Sequence, residues 1–109
     1  MIASLYLAPH RLSIDLQFAL GNAVDMAREA MDNLAYTFGG RIEVADMVAE
    51  SDYSVVEMAA DEIFDLTNNP SRQEEREMKY GRGRSMSVGD VVRVGNEMVV
   101  CMSCGWEKL

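Results

Sequence analysis

Apolar and polar positions alternate or recur along this chain in ways that predict a mixed fold. Ile2-Ala3-Ser4-Leu5-Tyr6-Leu7 is a short apolar run closed by Ala8-Pro9, and it predicts a strand. The next segment supports two readings. Leu12, Ile14, Leu16, Phe18 and Leu20 alternate as in a strand, whereas Leu16, Leu20, Ala23, Ala27, Met31 and Leu34 recur every three to four residues. The Ala, Leu, Met and Gln content tips the choice toward one helix over about 14–37, with Gly21 tolerated inside it at about 1 kcal/mol and Gly39-Gly40 ending it. Ile42 and Val44 then alternate within 41–48 and predict a second strand.

Farther on, Val55, Val56, Ala59, Ala60, Ile63 and Leu66 form a stripe at helical spacing. Ser51-Asp52 offers its N-cap, and Thr67-Asn68-Asn69-Pro70 stops it, giving a helix over about 53–67. Residues 71–87 have no apolar period. A short polar helix over 71–80 is followed by a Gly81-Arg82-Gly83-Arg84 loop. Two β runs, Val91–Val94 and Met98–Met102, joined through Gly95-Asn96, predict a C-terminal hairpin. The resulting expectation is an α+β fold, a small antiparallel sheet with a C-terminal β-hairpin packed by two helices, with Trp106 over the open end of the core. A length of 109 residues fits a single domain: a mainly helical acidic part over 1–67, a Gly/Arg loop over 68–87, and the hairpin and tail over 88–109.

Charge changes this picture. The formal net charge is −8. Residues 1–70 carry twelve carboxylates against three arginines, whereas residues 71–109 carry seven cations against six carboxylates. Free nucleic acid and anionic membrane surfaces are therefore poor partners for the whole molecule. Met1–Leu7 lacks a basic start and is cut short by Pro9, so no secretory leader is expected, and no apolar run approaches a membrane span. Two cysteines then fit a reducing cytoplasm.

Candidate chemistry is sparse. His10 stands beside Pro9, where a surface residue is expected rather than a general acid or base. Cys101-Met102-Ser103-Cys104-Gly105 has the spacing of half a zinc knuckle, but a closed site needs four ligands, so Cys101 and Cys104 are read as two small half-buried thiols, with a zinc site shared across a dimer as the alternative, and no cofactor is expected. Eight carboxylates lie between Glu43 and Asp65, and Glu57, Asp61 and Asp65 share a helix face at i, i+4 spacing. With Glu50, Asp52 and Glu62 they make either a solvated face or an acidic recognition surface for a basic protein. Arg72, Arg76, Arg82 and Arg84 offer the opposite reading, a phosphate- or nucleic-acid-contacting loop. The competing structural reading has Arg82 and Arg84 pairing with the acidic helix and pinning the loop.

Three segments together resemble the C-terminal signature of YodL-like proteins of phages and other mobile elements: Asp65-Leu66-Thr67-Asn68-Asn69, Arg84-Ser85-Met86-Ser87-Val88-Gly89-Asp90-Val91-Val92, and Cys101 to Trp106. The resemblance covers about residues 62–109. It implies a mobile-element context and no known reaction, so it carries no catalytic residue onto this chain. Ser85 and Ser87 are expected on one side of an extended segment, Met86 and Val88 on the other, with Asp90 accepting backbone N–H bonds at the strand entry. The function expected from these observations is non-catalytic: binding or inhibition of a basic protein, such as a nucleic-acid-handling or host-defence protein, through the acidic surface. The alternative is phosphate or nucleic-acid binding through the 72–84 arginines.

Overall fold

The computed structural model describes residues 1–18 and 22–109. Among the described residues five strands form one antiparallel sheet: β1 (Ile2–Leu7), β2 (Thr37–Glu43), β3 (Val91–Val94), β4 (Glu97–Met102) and β5 (Gly105–Lys108), in the order β2-β1-β3-β4-β5. Helices α1 (His10–Gln17) and α2 (Ala23–Asp32) cover part of one face, α3 (Val55–Asn68) covers the other, and the short α4 (Gln73–Lys79) follows a 3-10 turn over Pro70–Arg72. The α+β class, the antiparallel sheet and the expected β3–β4 hairpin therefore hold, while the sheet is packed by more than the two helices expected and β5 adds a second hairpin.

Strand periodicity divides the core into two layers. Ala3, Leu5, Val92, Val99 and Cys101 point toward α3, where Val56, Ala59, Ala60, Ile63 and Leu66 meet them. Val91 and Val100 point the other way, toward Leu16, Ala23 and Ala27 of α1 and α2. Two helical layers thus need both faces of β3 and β4 to be apolar, and Val91-Val92 and Val99-Val100 supply that.

Several predicted boundaries move. The helix expected over 14–37 is two helices; its Gly21, and the end of the alternative strand over 11–20, lie outside the described residues, but 10–17 is helical. Pro9 precedes α1 and its carbonyl accepts the Ser13 N–H at 3.1 Å. Pro9 thus stands two residues past the end of β1, at the N-cap of α1, where its missing N–H is harmless. Helix α2 ends well before Gly39: Leu34 takes a left-handed conformation (φ 56°) and Ala35 N–H closes on the Ala30 carbonyl at 2.9 Å. Gly39 and Gly40 belong to β2. The β1–β2 register shifts between Leu5 and Tyr6 at this point, and a side chain at Gly39 would stand 3.1 Å from Leu5 O and Leu7 Cγ. The glycines therefore serve a bulge rather than a helix stop, and β2 covers 37–43 instead of 41–48.

Helix α3 starts at Val55, capped by Ser54 rather than by Ser51-Asp52. Ser54 Oγ accepts from Glu57 N–H while Glu57 Oε1 accepts from Ser54 N–H, a capping box worth about 1 kcal/mol. Residues 50–53 instead form a tight turn closed by two Glu50–Tyr53 backbone bonds of 3.0 and 3.1 Å. The tail adds a strand: Ser103-Cys104 is the turn between β4 and β5. No helix among the described residues is long and apolar enough to cross a membrane.

Candidate functional site

The segment 84–90 contains a buried charged joint. Asp90 is fully buried just before β3. Its carboxylate accepts Ala8 N–H at 2.7 Å, Ser87 N–H at 2.8 Å and both terminal nitrogens of Arg84 at 2.7 Å. Arg84 Nη2 also donates to the Ala8 carbonyl at 2.9 Å. One bidentate pair thus ties the exit of β1 to the entry of β3 across 82 positions in sequence. Asp90 accepts backbone N–H bonds as the turn chemistry predicts. Gly89 carries a φ of 95°, and any side chain there would press on Leu16 Cδ1 at 3.1 Å. The extended period expected for 85–88 does not hold. Met86 is buried in the α3 layer and Val88 packs in the α1–α2 layer, because this irregular segment crosses between the layers.

The other loop arginines also have internal partners. Arg72 Nη1 and Nη2 bind the two Glu62 oxygens at 2.7 and 2.8 Å, Nη1 reaches Asp65 at 2.9 Å, and Nε reaches Glu75 at 2.8 Å. Hydrogen bonds from Arg72 and Lys79 hold the Glu75 carboxyl down to about 2. Arg76 donates to the Thr67 carbonyl, Ser85 Oγ and the Gly83 carbonyl, with its guanidinium 5.4 Å from the Tyr80 ring centroid. Gly83 allows that ring's approach, since an added Cβ would lie 2.6 Å from the Tyr80 hydroxyl. Arg82 is exposed and has no ion pair among the described residues. The expected pinning of the loop is therefore reassigned: Arg72, not Arg82 or Arg84, clamps the acidic helix, and Arg84 engages Asp90.

The predicted acidic residues fall into different roles. Glu57 is used in the α3 cap. Glu62 and Asp65 are shared with Arg72. Glu50 and Asp52 are exposed in the turn before α3. Asp61 accepts from the Tyr53 hydroxyl and from Trp106 Nε1, the latter at 2.8 Å. Partial burial and the Asp61 carboxylate push the Tyr53 hydroxyl up to about 12. Trp106, on β5, meets Phe64 edge to face, ring centroids 6.4 Å apart. Asp61, Phe64, Asp65 and Trp106, with the 102–105 turn, line a shallow cleft of about 300 Å³. Tyr53, Phe64 and Trp106 are thus part of the candidate site. Their signal in the sequence was aromatic residues beside or within an acidic helix and a lone tryptophan in a polar tail.

The two cysteines diverge. Cys101 is buried under α3, and burial followed by the Asp90 charge pushes its thiol up to about 12. Cys104 is exposed in the turn. Among the described residues no three His, Cys, Asp or Glu side chains converge as a metal site would require. A disulfide reagent at neutral pH is expected to titrate one thiol per chain quickly and the second only on unfolding, because the thiolate is the reactive form. Two fast thiols would show that the β4–β5 edge opens readily. His10, the first residue of α1, is exposed.

No protein-family model, curated protein or solved structure matches this chain.

Proposed function

We propose that this is a non-catalytic binding protein of a phage or other mobile element, acting in the host cytoplasm, which engages a basic protein through the acidic face of α3. The observation that carries the reading is the α3–β5 cleft, where carboxylates and aromatic rings stand side by side. Asp61 and Asp65 flank Phe64 on one wall and Trp106 forms the other. An arginine or lysine of a partner entering it would meet acceptors and a π face together, a combination that favours cations. Trp106 and Phe64 supply the aromatic anchors around which protein interfaces concentrate their energy. Glu50 and Asp52 extend the negative field at the start of α3 and favour encounter with a basic surface. The resemblance to YodL-like proteins supports the mobile-element context, and nucleic-acid-handling and host-defence proteins are the first candidates for the partner.

The alternative reading, phosphate or nucleic-acid contact through the 72–84 segment, has less to work with. Arg72, Arg76 and Arg84 already direct their donors to internal acceptors, which leaves Arg82 to carry it.

The test is affinity capture from host extract with the native chain and with an E50K/D52K/D61N variant, in which the amide at 61 keeps an acceptor for Tyr53 and Trp106. Glu57 is spared because its replacement would uncap α3, and Glu62 and Asp65 are spared because they anchor Arg72. The native chain is expected to retain a basic protein in a salt-sensitive manner. The variant should bind that purified protein at least about tenfold more weakly, with its melting transition preserved. Equal binding by the two would remove the acidic-surface reading, and retention of nucleic acid alone would favour the alternative.

A further inference from the structure

The second face of the sheet is only half covered. Helices α1 and α2 pack over Val91 and Val100, while among the described residues none covers the far end of β1, β2 and β3. A concavity of about 440 Å³ lies there, lined by Ile2, Ser4, Tyr6, Phe38, Arg41 and Arg93. Ser4 is the direct cross-strand partner of Arg41 on one side and of Arg93 on the other. Two strand spacings put the arginine backbones about 10 Å apart, close enough for their long side chains to converge above Ser4. Both are exposed. Arg93 Nε donates to the Gly95 carbonyl at 2.7 Å, and neither arginine has an ion pair among the described residues. One step farther along the same face, Tyr6 and Phe38 form a tilted ring pair with centroids 5.6 Å apart, and Phe38 is 54% exposed.

We propose that this open sheet face binds a single nucleotide-type ligand, with its phosphate between Arg41 and Arg93 over the Ser4 hydroxyl and its base against Phe38 and Tyr6. Charge complementarity selects the occupant. In a chain of net charge −8, two arginines bracketing one hydroxyl make a local exception that suits an anion. The guanidinium forks match phosphate oxygens, and exposed aromatic rings on a strand give any base a stacking surface. The volume suits one small ligand. Glu43 follows Arg41 on the same face of β2 and is exposed, so it disfavours a second phosphate group there. Together with the overall negative charge, this favours a monophosphate over a long polyanion. The site is on the opposite side of the sheet from the α3 cleft and does not depend on the acidic-surface reading.

The experiment is a backbone-amide NMR titration of the full chain with adenosine monophosphate, adenosine, inorganic phosphate and a short single-stranded oligonucleotide. Adenosine monophosphate is expected to shift the Ser4, Tyr6, Arg41 and Arg93 amides saturably and to bind more tightly than adenosine or phosphate alone. An R41A/R93A variant, altered only at exposed positions, should keep the native melting curve and lose at least about tenfold in affinity. F38A should weaken adenosine monophosphate while leaving the response to phosphate intact. Absence of saturable shifts at millimolar adenosine monophosphate would overturn the proposal, as would shifts confined to residues 72–84 or binding unchanged in R41A/R93A. Equal affinity for adenosine would remove the phosphate clamp. Tighter binding of the oligonucleotide than of the mononucleotide would replace the single-nucleotide site with a strand-binding face.

Discussion

Replacing Asp90 with alanine is expected to destabilise the fold by about 1–3 kcal/mol, the cost of taking a buried acceptor away from its donors. The carboxylate is fully buried and accepts four hydrogen bonds, two from Arg84 and one each from the Ala8 and Ser87 N–H groups. The variant leaves the buried Ala8 N–H without its acceptor, at about 1–3 kcal/mol, whereas the Arg84 side chain is 42% exposed and can turn to water. A domain of this kind has only about 5–15 kcal/mol to lose. Urea denaturation should show a much lower midpoint with an unchanged slope. A double-mutant cycle with Arg84→Ala should be strongly non-additive, because the second substitution removes a charge the first has already orphaned. A loss below about 1 kcal/mol for Asp90→Ala would mean that the β1–β3 joint is held by sheet pairing alone.

Ile63→Ala is expected to cost about 2–5 kcal/mol through the cavity it leaves beneath α3. Ile63 is fully buried on the helix face that meets Leu5, Val92 and Val99. In a domain of roughly 100 residues, a loss of that size corresponds to a fall in melting temperature on the order of 10–30 °C. The same substitution separates stability from recognition. Ile63 is two residues from Asp61 and adjacent to Phe64 but points inward, so at temperatures where the variant remains folded the α3 cleft should keep its charge and most of its affinity. Trp106 fluorescence would report whether its bond to Asp61 survives. If binding disappeared from a fully folded variant, the cleft would depend on fine placement of α3 rather than on its carboxylates and rings.

Local chemistry accounts for what could be read in advance. Strand β1 was legible because an apolar run meets Ala8-Pro9, and the β3–β4 hairpin because Gly95-Asn96 separates two β-branched runs. Helix α3 was legible because its apolar stripe is long and periodic. Its cap was misplaced by a few residues, since Ser51, Asp52 and Ser54 all offer cap chemistry and only packing of the 50–53 turn selects among them. The α2–β2 region was misread because glycine ends helices and also permits bulges. Here the distinction depends on how closely Leu5 and Leu7 of another strand approach Gly39.

For the candidate site, the acidic residues were visible as a spacing, but their present roles were not. Glu57 caps, Glu62 and Asp65 pair with an arginine after the helix stop, and Asp61 meets a tryptophan 45 residues away. The half-open sheet face was likewise invisible, because Arg41, Ser4 and Arg93 come from three separate strands.

The amino-acid sequence by itself determined the element types, the apolar faces and the charge polarity, because these follow from periodicity and side-chain chemistry within a few residues. Only the tertiary structure decided which charges are neutralised and which face solvent. A guanidinium meets whichever carboxylate the chain brings within about 3 Å, and that distance is set by the folding of segments far apart in sequence. So Arg84 is spent on Asp90 and Arg72 on α3, while Arg41 and Arg93 stand open on either side of Ser4.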